Sequence, residues 1–319
     1  MPAILTHYAY CLEAMEDKNS TYKDATILAS QGPDTFFFFG QLPWKRRNEH
    51  RLAINDYGTK LHHMDISEVY LALIEYAKKT EDKDLLFAFI EGLLIHYSMD
   101  RNCHPFIFAR SGFTEKEEDK KSWALSHMWY ETLLDCLIAQ KKGISNKRPA
   151  RYLKLDNESL KKISIMWNEV NKVTKLCDYI DENTFYYSAK DYQGVMGITN
   201  APKHLSYIFT KVVMGKNSQA HRMNIPNKLP KKYQHIDFLN EKRGPWPNIV
   251  TGELRNESFM DLWNYALEDI KIGQALLKRA KAEEDIKEEF KAYINNIDHD
   301  GIEPEAVMSH QAVVWSWPE

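Results

Sequence analysis

The chain has 319 residues, 44% hydrophobic and 27% charged, with a formal net charge of -3. This is the composition of a globular protein with a substantial core, and its charge gives no reason to expect a stable nucleic-acid partner. Cys11, Cys103, Cys136 and Cys177 are scattered without CxxC spacing, which argues against a disulfide framework or a thiolate zinc site and for free thiols in a reducing compartment.

The N-terminal stretch MPAILTHYAY has no basic start, no apolar run of signal length and no small-residue cleavage site. No run approaches the ~18 apolar residues of a membrane span, so the expected location is cytoplasmic. Phe36–Phe39 reads as core packing or as a pocket wall. Residues 40–60, with Gly40, Pro43 and Gly58, read as loop. Helical periodicity then places a helix over 66–79, with Val69, Leu73 and Tyr76 on one face. A strongly apolar helix is expected over 83–103 and should end at Pro105, because a residue before proline avoids the helical region.

A further helix over 121–141 runs into Gly143, and 143–157 reads as a linker. Helices are expected at 157–177, 201–214, 257–279 and 281–295. Residues 216–256, rich in Pro, Asn, Lys and Gly, read as a long irregular segment. Glycine is scarce and alternating strand patterns are hard to find. The expected fold is therefore all-α, a multi-helix bundle forming a single domain over 1–319, with the chemistry in 1–142 and a C-terminal helical part over about 150–319.

The chemistry concentrates in GLLIHYSMDRNCHPFI (92–107). His96, Asp100 and His104 follow one another at intervals of four, and residues four apart share a helix face. His104 is rotated away from His96 by most of a right angle, so it serves a neighbouring point. His127 and Glu131 repeat the spacing on the next helix. Burying five such donors without a compensating cation is costly, and nitrogen and oxygen donors of these types suit Zn2+. His7, Asp34 in G-P-D, and His62 or His63 extend the set. Asp135, four residues past Glu131, reads either as a group that orients a ligand imidazole or as a helix-surface carboxylate.

The ordered series His7, Asp34, His62, His96-x3-Asp100-x3-His104 and His127-x3-Glu131 resembles the zinc-dependent phospholipase C family, which shares its all-α fold with the single-strand-specific zinc nucleases. The resemblance covers roughly residues 1–140 and implies a polynuclear site of two or three zinc ions. One ion would be held by Asp34, His62, His96 and Asp100, and a second by His104, His127 and Glu131. A third would use His7, a bridging Asp100 and the terminal amine. The family's secreted members present a terminal tryptophan there, whereas this sequence begins Met-Pro. The Asp100-x3-His104 spacing is also tighter than in those enzymes, a departure that bears on the position of the second zinc.

The resemblance implies a hydrolase in which metal-activated water attacks the phosphorus of a phospholipid-like phosphodiester, with Asp34 as ligand or catalytic base. It also implies peripheral membrane contact, with Phe36–Phe39, Phe106 and Phe108 as candidates for an apolar entrance. The alternatives are a non-catalytic metal-binding protein of the same fold and a zinc nuclease or phosphodiesterase, for which the basic stretch Lys203–Lys232 is the relevant feature. The adjacent His299–Asp300 raises an HD-type phosphohydrolase, but NIDHDGIEP reads as a turn without matching partners.

Overall fold

Helices supply nearly all the regular structure of the computed structural model, which describes residues 3–42, 44–45, 47–112, 117–200, 208, 211–212, 223–226 and 228–308, with the backbone alone over 117–122. In chain order they are α1 Ile4–Ala14, α2 Lys23–Ala29, α3 Asp34–Phe37, α4 Glu49–His62, α5 Ser67–Lys78, α6 Lys83–Ser111, α7 Glu117–Lys141, α8 Asn157–Thr174, α9 Thr184–Thr199, α10 Phe259–Lys281 and α11 Lys287–Ile294. A two-stranded antiparallel pairing of Trp246–Pro247 with Leu254–Arg255 is the sheet found among the described residues. The fold is all-α. Among the described residues no helix is long and apolar enough to cross a membrane.

The organising element is α6, whose buried residues point to every side. It packs against α1, α2, α5, α7 and α10. Gly92 lets α2 come close, since a Cβ there would overlap the Thr26 carbonyl oxygen. Local chemistry sets several helix starts. The Asn48 side chain accepts from Arg51 N at the start of α4, Asp156 does the same for Ser159 N at α8, and Ser258 and Asp261 form a reciprocal capping box at α10. Phe36 packs edge-on against Tyr57, Trp167 and Phe185, with ring centroids 5.0, 5.2 and 5.7 Å away, joining α3, α4, α8 and α9.

Four expectations change. Residues 40–60 are not all loop, because α4 begins at Glu49. Gly58, which looked like a breaker, sits inside α4 where a Cβ would press on Phe36 and Phe37 at 3.2–3.3 Å. The helix over 83–103 does not stop at Pro105 but runs to Ser111 and ends at Gly112, in the left-handed region at φ 84°. The 143–157 linker is a packed connection whose 3-10 turn Pro149–Leu153 buries both of its end residues. The expected 281–295 helix is interrupted, with α10 running to Lys281 and α11 starting at Lys287. The expected 201–214 helix lies almost entirely outside the described residues, as does most of the Lys203–Lys232 basic stretch. Residues 228–256 are irregular, as their composition indicates, apart from a 3-10 turn at Lys231–Tyr233 and the two short strands, and α1, α2, α3 and α9 had no counterpart in the periodicity reading.

Candidate metal centre

The eight expected donors come from five helices. His7 lies on α1, Asp34 opens α3, His62 closes α4, His96, Asp100 and His104 lie on α6, and His127 and Glu131 on α7. All are buried except His127, which is partly so. They meet as two groups, one of His7, His96 and Asp100 and one of His104, His127 and Glu131. His62 Nε2 stands 3.2 Å from Asp34 Oδ1, and its ring lies 6.1 Å from that of His96, which joins this pair to the first group. Asp100 is the hinge. Its oxygens lie 2.8 Å from His96 Nε2, 3.3 Å from His7 Nε2 and 4.0 Å from His104 Nε2. In the second group Glu131 Oε1 stands 3.2 Å from His127 Nε2 and 3.7 Å from His104 Nε2.

Backbone carbonyls orient three of the rings. His62 Nδ1 is 2.7 Å from Gly58 O, His96 Nδ1 is 3.0 Å from Ser30 O, and His104 Nδ1 is 2.7 Å from His299 O. A ring that donates from Nδ1 to a carbonyl presents a lone pair at Nε2. At His62 and His96 that nitrogen is buried beside a carboxylate, that of Asp34 and of Asp100 respectively. A nitrogen and a carboxylate oxygen 2.8–3.2 Å apart can share either a proton or a metal cation. The spacing fits one: zinc with bonds of ~2.0–2.1 Å holds tetrahedral ligand atoms roughly 3.3 Å apart. With no thiolate and five imidazoles, the donor set fits zinc.

The metal-free electrostatics agree. Burial opposes ionisation of Asp100, but the imidazoles of His96, His104 and His7 outweigh it and hold the carboxyl well below the usual range. Glu131 is lowered to about 2, its burial likewise outweighed by surrounding positive charge that includes His127. His104 is raised well above its ordinary value, against burial, by Asp100 and Asp300. His7 is pushed down to about 4 by burial and by its neighbour His96. Without metal, the carboxylates are balanced by protons on histidine, and a zinc ion competes for the same positions.

The surroundings sort the remaining expectations. His62 faces the donors, while His63 turns outward, half-exposed, to Asp300 Oδ2 at 3.0 Å. Asp135 is neither a surface group nor an imidazole partner. It accepts from Leu5 N, Thr6 N and Thr6 Oγ1 at 3.1, 2.8 and 2.7 Å, capping α1 and setting the helix that carries His7. Phe36 and Phe106 are fully buried core residues and line no entrance. Phe37 stacks on His62 at 5.2 Å, and Phe108 stacks on His104 at 5.4 Å, so these two border the centre. The terminal amine proposed for a third zinc lies outside the described residues.

Sequence reasoning set aside Asp298–His299–Asp300, and the structure brings them to the donors. The buried His299 ring lies 5.1 Å from His62 and 5.6 Å from His96. The cue was present as an Asp-His-Asp-Gly turn, but no local pattern says where a turn docks.

An all-helical protein with a buried histidine–carboxylate centre suited to zinc is the class these observations define. The model of the family described as zinc dependent phospholipase C matches residues 4–194, and the chain belongs to that family. All eight donors fall within the match. No curated protein and no solved structure matches the chain. Membership supports a phosphodiester-hydrolase-like function.

Proposed function

We propose that this protein is a zinc-dependent hydrolase of a phospholipid-like phosphodiester, working at a centre of two or three ions. The observation that carries the proposal is Asp100, set between two groups of histidines whose Nε2 atoms converge on carboxylates. In this reading Asp34, His62, His96 and Asp100 hold one ion and His104, His127 and Glu131 a second. His7 joins Asp100 at a third. Zinc at such a centre would lower the pKa of water towards ~7 and polarise the phosphoryl oxygens.

The chain's own residues do the rest. Asp100 sets the separation of the two groups. Asp34, next to His62 Nε2, is placed to take the proton from the attacking water or to act as a ligand. The carbonyls of Gly58, Ser30 and His299 hold three imidazoles in the tautomer the centre needs. Phe37 and Phe108 give the border an apolar character suited to a lipid-like substrate.

The test is turnover by protein of verified zinc content on phosphatidylcholine vesicles, single-stranded DNA and a chromogenic phosphodiester. Release of diacylglycerol from the vesicles, lost on chelation and restored by zinc, is the expected result. Cleavage of DNA alone would replace the phospholipase reading with a nuclease. Stoichiometric zinc without turnover on any of the three would make this a non-catalytic metal-binding protein.

A further inference from the structure

The turn Asp298–Gly301 lies beyond the residues the family model matches and nearly two hundred residues from α6, yet it ends against the donors. Its seat is made by Pro105. Proline has no N–H, so the Arg101 carbonyl one turn earlier is left without its helical donor. Gly301 packs directly over that carbonyl at φ 74°, where a Cβ would overlap Arg101 O and stand 3.0 Å from Pro105 Cγ. Only glycine fits this approach. The Asp298 carboxylate closes the turn by accepting from Asp300 N at 2.8 Å and Ile302 N at 3.3 Å.

Once seated, the turn ties two donor helices together. His299 N donates to His62 O at the end of α4, at 3.1 Å. His299 O accepts from His104 Nδ1 at 2.7 Å, and Asp300 Oδ1 stands 3.3 Å from the same nitrogen. His62 and His96 find their orienting carbonyls at Gly58 and Ser30, inside the family-matched region. His104 finds its carbonyl here.

We propose that the Asp298–Gly301 turn is a positioning element of the metal centre, holding the His104 imidazole with its proton on Nδ1 and its Nε2 directed to the ion shared with His127 and Glu131. This rests on the zinc reading above. A carboxylate behind a ligand imidazole fixes its rotation and raises its basicity. The centre is then completed by a segment the family match does not contain.

A competing use of the same residues is a separate cation site, because donor atoms of His63, Asp298 and Asp300 lie within 4.8 Å of one another. The geometry favours positioning, since one Asp298 oxygen is engaged by two backbone amides and one Asp300 oxygen faces His104.

Zinc titration against a chromogenic chelator, with Co2+ absorption as a spectroscopic readout, separates these outcomes. Asp300→Asn should weaken one ion by ~10–100-fold and shift one cobalt spectrum, leaving the other ions at wild-type affinity. His63→Ala should leave affinity and stoichiometry unchanged. Wild-type affinity in Asp300→Asn overturns the proposal, and loss of a whole ion in His63→Ala replaces it with the separate site. A wild-type protein that binds no zinc removes the zinc reading itself, before any variant is compared. Should Asp300→Asn fail to fold, long-range proton–nitrogen spectra of the zinc-loaded wild type still decide. They should show His104 protonated at Nδ1 and metal-bound at Nε2, and coordination through Nδ1 would overturn the proposal.

Discussion

The two donor groups of this centre are braced from different ends of the chain. The group of His7, His96 and Asp100 takes its hydrogen-bonded support from the first 135 residues, with the His299 ring packed beside His96. Ser30 O holds His96, Asp135 caps the helix that carries His7, and the His7 and His96 rings stack at 4.3 Å. His96 is completely buried. The group of His104, His127 and Glu131 depends on the Asp298–Gly301 turn, and its His127 side chain keeps 12% exposure. One group is deep and held locally. The other is partly open and held from afar, which suits the side that must admit substrate.

The harshest break is Asp100→Ala, because Asp100 touches both groups. Metal analysis should show at least one ion lost, with hydrolysis falling by about three orders of magnitude, the several kcal/mol that metal polarisation contributes. Full metal content in this variant would show that Asp100 is not the hinge. Zinc removal should come next in size. Each ion held at a thousand times its dissociation constant stabilises the fold by ~4 kcal/mol, so a chelator titration followed by melting should show two steps, the open group first. A single step would mean that the groups are not distinct.

Gly32→Ala sharpens the comparison by striking the deep group alone. Gly32 has φ 55°, and a Cβ there would overlap the His96 ring. Backbone strain plus overpacking should cost about 2–4 kcal/mol in urea unfolding. The ion at His96 should be lost while the ion at His104, His127 and Glu131 stays.

The smallest effect is a pH dependence. Burial pushes Asp135 up to about 8, against the hydrogen bonds from Thr6 and Leu5 that favour its anion. Between its unfolded value near 4 and about 8, the folded state then binds more protons than the unfolded one, so stability falls as pH rises through that window. Asp135→Asn keeps an acceptor for α1 and removes the titration. Its unfolding midpoint in metal-free protein should lose this downward slope, and an unchanged slope would place the titration elsewhere.

Much of this centre was legible in the chain because its key spacings are local. His96, Asp100 and His104 sit four apart, as do His127 and Glu131, and a helix turns that interval into a shared face whatever surrounds it. The apolar stretches that became α5 to α7 were equally plain. Glycine and proline misled where their role was tertiary. Gly58 serves a contact with Phe37 inside a helix, and Pro105 stays within α6 and leaves a carbonyl for Gly301 to cover. Asp135 looked like one more carboxylate on the α7 face until the docking of α1 gave it three donors.

Helical periodicity and donor spacing by themselves determined that this is an all-α protein and that its histidines and carboxylates share helix faces in a pattern that fits zinc. Both follow from interactions within a few residues of chain. The tertiary structure alone decided that His62 and not His63 faces the donors, that Phe37 and Phe108 border the centre while Phe36 and Phe106 fill the core, and that a turn near residue 300 holds His104. Those outcomes depend on which surfaces meet when helices pack, and contacts between residues two hundred positions apart leave no period in the sequence to read.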